Sequence, residues 1–217
     1  MTRFALLLTF FPAWVVHGQL AQFGIKGAIP VLNTFPGAGD ESKRYNVGPS
    51  VEFRLRGGFA IEADALYQRV GESGHFQFAG EIPSGAGTTS FTPGPFAGAY
   101  YARARGDSWQ FPVLAKRYFR MRSSVWQPFV SLGPSVRRVK SESDTNEMFF
   151  DSSGRKDFPG HAEPSANWSI GGTVAAGARL RAGRFAIVPE FRYTRWAQNN
   201  GSALSRNAAS AFLGFSF

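Results

Sequence analysis

A chain of 217 residues fits one domain with a removable leader and is long enough to bury a core or close a barrel. With 25 glycines, 13 prolines, 15% aromatic and only 18% charged residues, and no stretch rich in Ala, Glu, Lys, Leu and Arg, the composition points away from helices and toward short strands and turns. The absence of cysteine excludes a disulfide framework, a thiol nucleophile and a thiolate metal site, and the formal charge of +9 raises a nucleic-acid reading that the placement of the charges opposes.

The first stretch, MTRFALLLTFFPAWVVHGQLAQ, sets Arg3 before an apolar run from Phe4 to Val16. That run is shorter than the ~20 residues a spanning helix needs and suits a secretory leader. Cleavage is expected after Gly18, with Val16 three positions before the cut, which leaves residues 19–217 as the mature domain.

Period-2 alternation then predicts strands near 22–32, 45–56, 59–71, 107–119, 126–139, 168–181, 184–196 and 208–217. The clearest is VEFRLRGGFAIEADALYQRV, where Val51, Phe53 and Leu55 oppose Glu52, Arg54 and Arg56, and the chain turns at Gly57-Gly58 into Phe59, Ile61 and Ala63. The connections alternate between long, near 12, 35, 28 and 11 residues, and short: Gly57-Gly58, RMRSSV and Ala182-Gly183. All long loops, 72–106 and 140–167 among them, therefore share one end and both termini the other, the arrangement of an eight-stranded antiparallel up-and-down transmembrane β-barrel.

Faces follow from the charges. The polar parity holds Lys26, Arg54, Lys116, Arg137, Arg179 and Arg192 against Glu52, Glu62, Asp64 and Glu190, which a narrow interior could pair as a lumen ion network. On the apolar parity, Phe23, Phe59, Phe119, Trp126 and Phe185 gather at the turn end, and Tyr45, Tyr67, Trp109, Trp168 and Tyr193 at the loop end, as girdles do. Arg56, Arg117, Arg120, Arg122, Arg181 and Arg184 crowd the short turns without an acid, a basic rim suited to anionic headgroups rather than to a nucleic-acid groove. The tail AFLGFSF places Leu213, Phe215 and Phe217 on one face, with Phe212 the exception. A last strand apolar toward lipid must pair with the first to remove both edges.

The carboxyl-terminal Phe217, the hairpin YNVGPSVEFRLRGGFAIEADALY and the segments WQFPVLAKRYF and QPFVSLGPSV together resemble the outer-membrane β-barrel domain family of Gram-negative bacteria, a set of small OmpA-like and PorT-like barrels. The resemblance implies an integral outer-membrane protein, in contact with outer-membrane lipid, whose last strand is read by the barrel-assembly machinery with Phe217 as terminal residue. It transfers no catalytic residue. RLRGGFAIEADALYQR (54–69) and RLRAGRFAIVPEFRYTR (179–195) also echo each other, as a duplicated half barrel or as two hairpins under one constraint.

Three groups of residues bear on chemistry. His75 and His161 fall in long polar loops, His17 in the leader, and none sits beside a serine and an acid on a strand. The two GPSV segments, 48–51 and 133–136, lack the helix of a nucleophile elbow and read as bends in the wall. SESDTNEMFFDSSG offers Asp144, Asn146, Glu147 and Asp151 without EF-hand spacing and reads as a solvated loop. The expectation is a monomeric, non-catalytic barrel without cofactor or metal and without a nucleic-acid partner. Its role would be structural or interactive, through loop residues Phe76, Phe78, Phe91, Phe96, Tyr100, Tyr101, Phe149 and Phe150. The alternatives are a narrow ion channel through the lumen and a soluble secreted ligand-binding barrel.

Overall fold

The computed structural model describes residues 21–32, 39–81, 95–119, 125–151, 154–197 and 205–217, the side chains of 78–81, 95–97 and 151 excepted. The expected leader, Arg120, Arg122 and Phe91 lie outside the described residues. The strands are β1 Ala21–Pro30, β2 Asn46–Arg54, β3 Phe59–Asp64, β4 Leu66–Glu81, β5 Pro95–Tyr118, β6 Trp126–Asp151, β7 Gly154–Ala182, β8 Phe185–Trp196 and β9 Asn207–Ser216. β3 and β4 are halves of one stave broken at Ala65, since both pair with β2 on one side and β5 on the other. Eight antiparallel staves result, and β1 pairs with β9 from Gly24↔Ser216 to Pro30↔Ser210, which closes the ring.

Both GPSV glycines mark irregular points of this wall. A Cβ on Gly48 would fall 1.8 Å from the Ala65 carbonyl oxygen, at the break between β3 and β4, and one on Gly133 would fall 2.0 Å from that of Val113. Only glycine admits so close a backbone, and the proline that follows each has no N–H to give to a ladder.

Alternation sorts the side chains with polarity reversed from that of a soluble barrel. Lys26, Glu62, Lys116 and Arg192 are buried inside, whereas Ile25, Ile170, Leu213 and Phe215 stand exposed outside. A row of register partners, Tyr67↔Trp109↔Arg138↔Trp168, marks the loop end of the outer belt. Phe59 beside Arg117 marks the turn end. Between these levels no Asp, Glu, Lys or Arg faces outward among the described residues. Along β6 that belt runs from Trp126 to Arg138, about 40 Å of strand at ~3.3 Å per residue and about 28 Å of height at a 45° tilt.

The expected loops 72–106 and 140–167 are largely strand. β4 and β5 pair out to Glu81↔Pro95, and β6 and β7 to Asp151↔Gly154, so a four-stranded sheet projects past the loop end of the barrel. Phe76, Tyr100, Tyr101, Phe149 and Phe150 are strand residues of this sheet, as are the backbones of Phe78 and Phe96.

Candidate functional site

Inside the barrel, Glu62 on β3 is the acceptor on which three cations converge. Lys26 of β1 and Lys116 of β5 donate to its two carboxylate oxygens, and Arg192 of β8 reaches it at 3.2 Å. Arg192 also lies 2.8 Å from Asp64 and donates to Glu190 at 3.0 Å, and Lys26 closes the cluster on Glu190 at 3.0 Å and Asp64 at 3.7 Å. Glu52 of β2 forms a second node toward the turn end. It accepts from the Tyr118 hydroxyl at 2.7 Å and stands 3.2 Å from Arg54, 3.4 Å from Lys116 and 3.6 Å from Arg179. A buried carboxylate without a counter-charge is costly, and here each meets at least two cations, although Asp64 Oδ1, Arg54 Nη2 and Arg179 Nε have no hydrogen-bond partner among the described residues.

Arg137 departs from the expected pairing. It points inward and is buried, but its guanidinium packs over the Trp196 ring at 4.4 Å and enters none of these ion pairs. Of the inward aromatics the sequence pattern set only Phe212 apart, as the exception on the tail. Lys116 stands over Phe129 at 4.3 Å, Arg192 over Phe212 at 4.5 Å and Arg54 over Tyr118 at 5.1 Å, so the lumen cations are shared between carboxylates and ring faces. Their parity was the signal: Phe129 shares that of Arg137, Tyr118 that of Lys116, Trp196 that of Arg192, and Phe212 that of Ser210.

The network separates two small cavities. One of about 30 Å³ on the loop side is lined by Arg137, Arg192, Gln68, Gln110 and Thr194; one of about 20 Å³ on the turn side is lined by Gln22, Lys26, Glu52, Lys116 and Arg179.

Outside, Phe23, Tyr45, Phe59, Trp109, Phe119, Trp126, Trp168 and Phe185 are exposed. Tyr67 and Tyr193 are half-buried, their hydroxyls donating to Asp107 at 2.6 Å and Asn207 at 2.8 Å. Arg117 donates to the Gly57 carbonyl and covers Phe59 at 4.2 Å, while Arg56, Arg181 and Arg184 are exposed. Leu213, Phe215 and Phe217 face outward, and the Phe217 amide donates to the Phe23 carbonyl at 3.0 Å.

On the projecting sheet the residues first read as a solvated loop are paired strand. Asp144 and Glu147 differ in parity and take opposite faces. The ligand atoms of Glu142, Asp144 and His161 lie within 4.8 Å of one another. His161 takes both carboxylates, through Nδ1 to Asp144 at 2.7 Å and Nε2 to Glu142 at 3.5 Å. The Asp144 hydrogen bond and the two negative charges raise its affinity for a proton above that of a free imidazole. Glu41 bridges to Arg103 at 2.6 Å and is held below the usual carboxylate range by its hydrogen bonds with Ser73 and Arg103. A cavity of about 380 Å³ lies here among Glu41, His75, Tyr101, Arg103, Asp144 and Asn146.

No family model matches the chain, and no curated protein matches it. Solved structures similar to it include the Neisserial surface protein A, at a TM-score of 0.45 and 12% identity over 92% of this chain and 97% of that one. The N-terminal β-barrel domain of Pseudomonas aeruginosa OprF gives 0.41 and 11% over 90% and 96%. Ail, the attachment invasion locus protein of Yersinia pestis, solved with the heparin analogue sucrose octasulfate, gives 0.39 and 10% over 91% and 96%. At such identities no residue of this chain inherits a role from them.

Proposed function

We propose that this chain is an integral outer-membrane barrel, without catalysis, whose lumen is plugged by its ion network and whose projecting sheet meets a partner outside the cell. The observation that carries this reading is the reversed polarity, with Glu62 at 3% exposure inside and Phe217 at 65% outside. In water that arrangement would bury charge and expose a continuous apolar belt; in a bilayer each face meets the medium it suits, and the closed ladder leaves no edge in hydrocarbon. The outward Arg117, Arg56 and Arg184 at one end and Arg69, Arg138 and Arg195 at the other bound the belt where headgroups would lie. The sheet beyond it offers Phe76, Tyr101, Phe150 and Phe158 as exposed contact residues.

Expression with the leader in a Gram-negative host, followed by gel mobility of boiled and unboiled outer-membrane fractions, tests the reading. The expected result is a heat-dependent shift, weakened when Phe217 is deleted. Truncation of 141–163 should keep the shift and lower the adhesion of expressing cells to a host-cell monolayer. A protein recovered from the supernatant without detergent and without a shift would overturn the membrane assignment, and unchanged adhesion would overturn the role of the sheet.

A further inference from the structure

Arg137 is 4% exposed, and no described residue forms an ion pair or hydrogen bond with its side chain. Of the chain's 15 acidic side chains only those of Glu81 and Asp151 are undescribed, and both stand at hairpin tips. Its register partners are neutral: Gln110 on β5 and Ser169 on β7. A buried guanidinium with no counter-charge is costly, and unpartnered buried polar atoms call for an occupant.

Three donors are sealed off without an acceptor around this position. They are Arg137 Nε, Ser169 Oγ across the strand, and Nε1 of Trp196, the ring on which Arg137 packs; of these residues Arg137 lines the loop-side cavity, as does Asn46, whose Oδ1 is also unpartnered. The lumen as a whole carries six inward cations, Lys26, Arg54, Lys116, Arg137, Arg179 and Arg192, against the four carboxylates of Glu52, Glu62, Asp64 and Glu190. It is short of negative charge by two, and Arg137 is the inward cation that meets no carboxylate. The loop-side cavity that Arg137 lines measures about 30 Å³, where about 10–15 Å³ by the same measure already admits a water molecule.

We propose that this cavity is a binding site for a small free oxyanion, anchored by the Arg137 guanidinium, with Gln110 and Thr194 beside it in the lining. The planar fork of a guanidinium matches a pair of oxygens better than it matches a single spherical ion, which favours a carboxylate or phosphate over a halide. The site lies above the ion network, on the loop side, so the anion enters from the mouth and goes no further.

Inorganic phosphate, exchanged for chloride at constant ionic strength and read by tryptophan fluorescence of detergent-refolded protein, tests the site, because Trp196 stacks on the anchor. The expected result is a saturable change in the wild type and in Arg138→Gln, which removes the outward-facing neighbouring cation, and at least tenfold weaker binding in Arg137→Gln. Gln110→Glu builds a carboxylate directly opposite Arg137 and should abolish the phosphate response while raising the thermal midpoint. If Arg137→Gln does not refold, Gln110→Glu decides. A wild-type response that is absent or never saturates would overturn the proposal, as would equal responses in Arg137→Gln or Gln110→Glu.

Discussion

Glu62 ties three staves to its own, since Lys26, Lys116 and Arg192 all end on it. Replacing Glu62 by Gln leaves those three cations sharing one carboxylate fewer, and the barrel should lose about 3–5 kcal/mol of stability, read as a lower urea midpoint in detergent micelles. Arg192→Gln should act in the same direction, because Asp64 and Glu190 then keep only Lys26. Which residues face inward was legible in the sequence, because the side-chain period of a strand is 2 and the charges fall on one parity. Which inward residues meet was not. Arg137 shares the parity of a lumen residue but sits level with Gln110 and Ser169, where no acid arrives, and that level is set by register between strands distant in sequence. Inward Phe129, Tyr118 and Trp196 were not legible for a different reason: aromatic residues suit the lipid face, although a cation inside a barrel is also stabilised by a ring.

The strands that cross the apolar belt were readable because one face is greasy and the other is not. Beyond Tyr67 and Trp109 that contrast ends, since both faces of the projecting sheet meet water, and GESGH or SESDTNE gives no hydrophobic alternation to detect. Pairing there is held by the ladder and by a few charged clasps on the exposed face. His161 across from Asp144 and Glu142 joins β7 to β6. Because the folded state raises the His161 proton affinity, the clasp stabilises the hairpin fully below the free-imidazole pKa of about 6.5 and fades as pH climbs through the raised folded value. NMR titration of the His161 ring should show a midpoint above that of free histidine, and Asp144→Asn should move it back down. A midpoint unmoved by that substitution would remove the clasp. Amide exchange in β6 and β7 beyond Ser141 should quicken over the same pH interval.

At the level of the Glu62 cluster the described side chains fill the interior of the barrel. A cavity of about 30 Å³ ends at Arg192 of this cluster on the loop side, and one of about 20 Å³ ends at Lys26, Glu62 and Lys116 on the turn side. Planar-bilayer recordings should therefore show no steady open-channel current from the wild type, and Glu62→Gln should destabilise the protein without creating an ion-selective one. A reproducible conductance whose selectivity changed in Glu62→Gln would instead make the cluster a filter. The echo between 54–69 and 179–195 reappears at this scale as matched roles: Asp64 and Glu190 both hold Arg192, and Tyr67 and Tyr193 each tie their hydroxyl to the neighbouring stave. The count of staves and the common end of Ala21 and Phe217 were legible from loop rhythm. The break at Ala65 was not, because it is set by the close approach of Gly48 on another strand.

The placement of Lys26 bears on how such a wall is made. It belongs to the first stave, yet its partners Glu62 and Glu190 stand on opposite sides of the seam where β1 meets β9. Until that seam zips, the ammonium has no complete set of acceptors and must stay hydrated, and a slip of one residue along the seam would turn it outward into hydrocarbon. The charged core thus acts as a checksum on assembly: only the register that closes the circle also brings Lys26 to carboxylates on both sides of the seam.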